Sequence, residues 1–128
     1  MFQLSKAVEY AILFLQALKK KEGKPVSLAL IAKSRGLPLK YLERIAGDLK
    51  RKNIIKSKEG TAGGYFLAKK PKNITLSEII TSVEGKKGFV TCIYGTCQQE
   101  KLCSHKKVWQ KLQQALEKEL GKISLTDF

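Results

Sequence analysis

Leu4, Ala7, Val8, Ala11, Ile12, Leu15 and Leu18 recur at three- and four-residue spacing over four turns. This predicts an amphipathic first helix, opened near Ser5 and closed by Gly23 and Pro25. Ser27 is a candidate N-cap for a second helix that turns Leu28, Ile31 and Ala32 inward and stops at Gly36. A third helix has Pro38 in its first turn, where a missing N–H costs no hydrogen bond. Its apolar face is expected to be Leu39, Leu42, Ile45, Ala46 and Leu49. Two short helices joined by a tight turn at Gly36 form a helix-turn-helix candidate.

Two β-prone runs follow, Asn53 to Lys58 and Tyr65 to Ala68, around the glycine-rich tip Glu59-Gly60-Thr61-Ala62-Gly63-Gly64. They read as a hairpin, and a hairpin directly after a helix-turn-helix is the winged-helix arrangement. Thr75 and Glu78 form a capping box opening a short helix, with Leu76, Ile79, Ile80 and Val83 inward and breaks at Gly85 and Gly88. The last helix carries Val108, Trp109, Leu112, Ala115, Leu116 and Leu120 up to Gly121. That apolar surface is broad for the end of a small domain and is expected to pair with a second copy. The predicted fold is mainly α with a small β-hairpin wing. Residues 1–72 form the winged helix-turn-helix, and residues 73–128 the capped helix, cysteine loop and long dimerisation helix, together one compact domain.

With 128 residues and 43% apolar content, the chain can bury about two-thirds of its unfolded surface without disulfide staples. No apolar run approaches the roughly 20 residues of a membrane span. Met1 to Leu18 carries Lys6 and Glu9 inside its apolar stretch, which argues against a signal peptide and for a cytoplasmic location. In a reducing compartment an odd set of three neighbouring cysteines points to metal or redox chemistry, not a disulfide framework. Residues 1–72 hold 17 basic against 5 acidic side chains, net +12, and residues 73–128 hold 8 against 6, net +2. A positive field confined to the winged-helix half suggests a polyanion, with nucleic acid foremost. All three arginines, Arg35, Arg44 and Arg51, fall in the helix-turn-helix, and Arg is the better bidentate reader of phosphate and guanine.

On the third helix the outward positions are Lys40, Tyr41, Glu43, Arg44, Gly47, Asp48 and Arg51. The first turns of such a helix touch base edges, favouring Lys40, Tyr41, Glu43 and Arg44. A carboxylate repels phosphate, so Glu43 suits DNA only by accepting from a base amino group such as cytosine N4; otherwise it is a surface partner of Arg44 or Lys40. Lys50, Arg51 and Lys52 are expected on phosphates. Ser27, Lys58, Gly63 and Gly64 complete the candidate contacts, the two glycines through positive φ at a tight wing tip and the lysines Lys56, Lys58, Lys69 and Lys70 beside it. Cys92, Cys97 and Cys103, with His105 just beyond, form a soft donor set suited to an iron–sulfur cluster or zinc. Their spacing differs from zinc-ribbon knuckles. One histidine, no nucleophile–base arrangement and no phosphate-binding loop give an enzyme little support.

Taken together, Leu4-Ser5-Lys6-Ala7, Tyr41-Leu42-Glu43, the Gly63-Gly64-Tyr65 wing, three spaced cysteines before Trp109, and the tail Ile123-Ser124-Leu125 resemble the small winged-helix repressors of the IscR, NsrR and CymR superfamily. The resemblance implies a homodimer with crossing C-terminal helices, bound to a palindromic site on double-stranded DNA, with no membrane partner. It also implies an iron–sulfur cluster, 2Fe-2S with 4Fe-4S or zinc as alternatives, reporting cluster supply, nitric oxide or redox state. Cys92, Cys97 and Cys103 match the family's cysteine ligands, and Glu43 matches a glutamate that governs site choice. For the fourth ligand, the cluster-biogenesis regulator's histidine falls at Lys106 when Trp109 is aligned, one position beyond His105. The acidic ligand of the nitric-oxide-sensing relative falls at Glu9. Water or a small thiol is the remaining option. Glu59 stands where the biogenesis regulator has a minor-groove arginine, so minor-groove readout is either absent here or shifts to Lys58. A cluster-free regulator with a zinc or thiol-redox site is the alternative reading.

Overall fold

In the computed structural model, which describes residues 3–85 and 105–128, the Ser5 hydroxyl accepts from the Val8 amide and opens α1 (Lys6–Lys20). Val8, Ala11, Phe14, Leu15 and Leu18 are buried on one face. Phe14 thus joins the expected stripe, while Leu4 is exposed because it precedes the N-cap. Helix α2 (Leu28–Arg35) is capped by Ser27, whose hydroxyl accepts from the Leu30 amide at 3.2 Å, and ends at Gly36 in the left-handed conformation, φ 65°. That geometry suits glycine and turns the chain sharply toward the next helix.

Helix α3 (Leu39–Arg51) begins one residue after Pro38, which occupies the N-cap and not the first turn. Its carbonyl accepts from the Leu42 amide at 3.0 Å. Leu42, Ile45, Ala46 and Leu49 are buried, as the periodicity requires. Leu39 is not: it is 42% exposed. At 100° per residue it lies about 70° round the axis from the centre of the buried stripe, and it sits at the helix end, where the neighbouring elements no longer cover it.

Strands β1 (Ile55–Lys58) and β2 (Gly64–Leu67) pair antiparallel, with Ile55 opposite Leu67 and Lys58 opposite Gly64. A third rung ties this wing to the entry of α2. Val26 and Tyr65 exchange both backbone hydrogen bonds, at 2.9 and 2.8 Å. That rung explains Gly64, since a Cβ there would lie 2.4 Å from the Val26 carbonyl. The expected positive φ is found at Gly64 but not at Gly63, and Gly60 also has one. Gly63 is constrained by space instead, because its Cβ would meet the Lys58 carbonyl at 2.1 Å.

Helix α4 (Leu76–Glu84) starts at the expected capping box: the Glu78 amide donates to Thr75 Oγ1 and the Thr75 amide to Glu78 Oε2, both at 3.2 Å. Leu76 and Ile79 are buried, Ile80 and Val83 half-buried, and Gly85 ends the helix; Gly88 lies outside the described residues. Helix α5 (His105–Lys122) packs on α4. The chain then turns back. Leu76 donates to Ile123 and Leu125 to Ile74, at 2.8 and 2.9 Å, and the Lys19 ammonium donates to the Leu125 carbonyl at 3.2 Å. Leu125 is fully buried in the same core as Phe14, Leu42 and Ile79. The far end of α5 is therefore anchored to α1 and to the start of α4. No described helix is long and apolar enough to cross a membrane.

Candidate nucleic-acid interface

With its apolar stripe buried, α3 presents Lys40, Glu43, Arg44, Gly47, Lys50 and Arg51 to solvent. Among the described residues, Lys40, Glu43 and Arg44 make no side-chain hydrogen bond or ion pair. Glu43 is therefore not a surface partner of Arg44 or Lys40 here. Its carboxylate stands open next to an open guanidinium, an arrangement with unfilled acceptor and donor capacity.

The other positions of the helix are more occupied than the sequence suggests. Tyr41, expected to face outward, is half-buried. Its ring meets Tyr10 of α1 edge-on, with centroids 5.4 Å apart and planes at 89°. This position holds α3 against α1, and only part of the side chain remains exposed. Asp48, also expected outward, is largely covered and pairs with Arg51 one turn on. Lys50 reaches the wing, donating to Ser57 Oγ at 2.8 Å. Recognition helix and wing are thus joined by a side chain expected to sit on phosphate. Nothing local predicts this contact, because Ser57 becomes a neighbour only once β1 folds back along α3.

On the wing, Lys56, Lys58 and Glu59 are exposed. Lys69 was expected to reach DNA, but it is half-buried and paired with Glu78 at 2.8 Å. Glu78 thereby serves both the capping box and this bridge, which fixes α4 against the strand exit. Ser27 is exposed while capping α2. Its hydroxyl accepts from Leu30 and keeps its own proton free to donate.

Of the expected metal ligands, Cys92, Cys97 and Cys103 lie outside the described residues. His105 is the first residue of α5 and is exposed. Glu9 is exposed in the first turn of α1, where its carboxylate accepts from the Lys6 ammonium at 3.1 Å. That hydrogen bond, with the attraction between the two charges, raises the Lys6 pKa above its ordinary value. Among the described residues no three His, Cys, Asp or Glu side chains are gathered as a metal site.

The profile of the Rrf2 family, described as an iron-dependent transcriptional regulator, matches residues 4–128. The HTH-type transcriptional regulator IscR of Escherichia coli K12 is 32% identical over 105 residues, covering 81% of this chain and 65% of that protein. The chain thus matches less than two-thirds of that relative's length. Among solved structures, CymR, the global cysteine regulator of B. subtilis, superposes with a TM-score of 0.78 at 29% identity, over 99% of this chain and 95% of that one. IscR from T. potens superposes with a TM-score of 0.75 at 32% identity, over 98% and 85%.

Proposed function

The chain belongs to the Rrf2 family, and from that premise we propose that it is a homodimeric, sequence-specific DNA-binding transcriptional regulator whose grip is set by an iron–sulfur cluster. The relatives are transcriptional regulators and not enzymes. The observation that carries the DNA-reading half is the open face of α3, where unpaired Lys40, Glu43 and Arg44 stand on a helix otherwise packed into the core.

In this reading α3 enters the major groove by its N-terminal half. Arg44 donates to guanine O6 and N7, and Glu43 accepts from cytosine N4, the amino group whose presence repays the approach of a carboxylate to DNA. Lys40 and the exposed part of Tyr41 flank them. Arg51, Ser27 and Lys58 meet phosphates and set affinity more than sequence. Lys50 links the wing to the reading helix, and Gly63 and Gly64 let the wing tip close tightly on Lys58 and Val26, which sets the place from which it meets the duplex.

Dimerisation is supported by α5, where Val108, Leu112 and Leu116, four residues apart, are 62%, 41% and 40% exposed. An apolar row of this length along one helix gains by covering against a second copy. A two-fold dimer of this kind reads half-sites about 34–36 Å apart.

Three thiolates fit an iron–sulfur centre by donor softness, and an imidazole or a harder carboxylate would complete the set. Cys92, Cys97 and Cys103 would hold it, with His105 or Glu9 as fourth ligand; 2Fe-2S is the favoured form, ahead of 4Fe-4S or zinc. When bound, such a centre supplies sensitivity to oxidation and nitric oxide. The chain's own part is mechanical. Cys92, Cys97 and Cys103 lie between α4 and α5 in the sequence, so a group held by all three would shorten the tether between those helices. Because α4 packs on α1 and α3 while the tail of α5 is anchored to α1 and α4, such a constraint would bias the angle between the two α3 helices of a dimer. Anaerobic purification with iron and sulfide analysis tests the reading. C92A is expected to abolish visible absorbance and alter operator affinity while the dimer persists. Unchanged affinity with and without iron contradicts the switch, and zinc in place of iron and sulfide contradicts the cluster.

A further inference from the structure

The reading of α3 leaves one exposed side chain unexplained. Leu39 is the first residue of the helix, directly after the Pro38 N-cap, and it is 42% exposed while Leu42, Ile45, Ala46 and Leu49 are covered. Residues four apart on a helix lie on one flank, about 40° from each other round the axis. Leu39 therefore stands one turn before Glu43 on the same flank, at the end of α3 that enters the groove first.

Its surroundings choose the occupant. Lys40 and Arg44 are exposed on the same helix within five residues of Leu39, and the winged-helix half carries net +12. Such a field favours a polyanion over an apolar protein surface. The apolar group that duplex DNA offers in the major groove is the 5-methyl of thymine.

We propose that Leu39 is a specificity-determining residue that packs on the 5-methyl group of a thymine neighbouring the cytosine read by Glu43. The proposal rests on the assignment of α3 as the base-reading helix, and the experiment separates the two. An operator is first selected from random duplexes with the wild-type protein. Each thymine of a half-site is then replaced singly by deoxyuridine, which removes only the methyl group and keeps the base pair. Dissociation constants are measured by fluorescence anisotropy for wild type, L39A and L39M.

One thymine next to the C·G pair at which E43Q alters preference is expected to lose about 3- to 10-fold in wild type on replacement, the scale of one buried methyl group. The same replacement is expected to have under about 2-fold effect in L39A and a wild-type-like effect in L39M. Leu39 is exposed, so L39A should fold normally, and circular dichroism checks this. Specific binding in which no thymine methyl matters overturns the proposal, as does a loss that is equal in L39A. Failure to select any operator overturns the DNA-reading assignment, and the proposal with it.

Discussion

Glu43 is unpaired among the described residues and set amid cations that do not reach it. A carboxylate so placed weakens binding to any phosphate backbone and recovers that loss at one kind of base. E43Q is therefore expected to relax the preference at a single C·G pair by about 10-fold or more while raising non-specific affinity, read by competition between operators differing at that pair. Arg44 and Arg51 share the exposed face but differ in company. R44A should cost about 1–3 kcal/mol with loss of specificity. R51A removes a side chain already engaged with Asp48, so it should weaken binding about equally on all sequences. A change of preference in R51A with none in R44A would mean that the rotation of α3 in the groove is wrong. Gly64 is a packing prediction: with the Val26 carbonyl 2.4 Å from where a Cβ would stand, G64A should lower stability by about 2 kcal/mol or more, read by thermal denaturation. The residue types of this face were legible in the sequence, but their occupancy was not. Tyr41 and Asp48 have outward phases by helical periodicity, and only the packing of α1 and the Arg51 pair show that both are engaged.

At the scale of elements, the helices follow from their local signals. Ser5, Ser27 and Thr75 each accept a backbone amide three residues on, and Gly36 and Gly85 end the helices they were expected to end. Removing one such cap has a defined cost. T75A should lower stability by about 1 kcal/mol, or about 4 °C in Tm, because the Glu78 amide loses its acceptor while the amide of residue 75 still donates to the Glu78 carboxylate. Periodicity identified the buried faces and misjudged their ends. Leu4 lies before the N-cap of α1 and Leu39 at the first position of α3, where a stripe continues in sequence but its covering neighbours do not. The relations between elements were hidden for a different reason. The Val26–Tyr65 rung, the Lys50–Ser57 bond and the Lys69–Glu78 pair join residues through contacts that exist only after the chain has folded back. These bonds give the wing a fixed place beside α3, so the helix-turn-helix and hairpin should meet DNA as one rigid unit.

Across the whole molecule, the cationic half and the apolar helix have separate tasks. A net +12 over residues 1–72 should make binding strongly salt-dependent, with log K falling linearly against log salt concentration. The exposed row on α5 should hold two copies together. L112E is expected to give monomers by analytical ultracentrifugation, with an unchanged circular dichroism spectrum because Leu112 is 41% exposed. Those monomers should keep non-specific affinity and lose most operator affinity. The cysteines suggest coordination chemistry by their type and their closeness in sequence, and they lie outside the described residues. The most direct measurement is an anaerobic anisotropy titration of a selected palindromic duplex, before and after iron is removed by a chelator. The expected result is a preference of about 10³ or more over a scrambled duplex in one state, with a shift of about 10-fold or more between states. Equal affinity in both states, or no preference for the palindrome in either, would contradict a cluster-tuned DNA clamp.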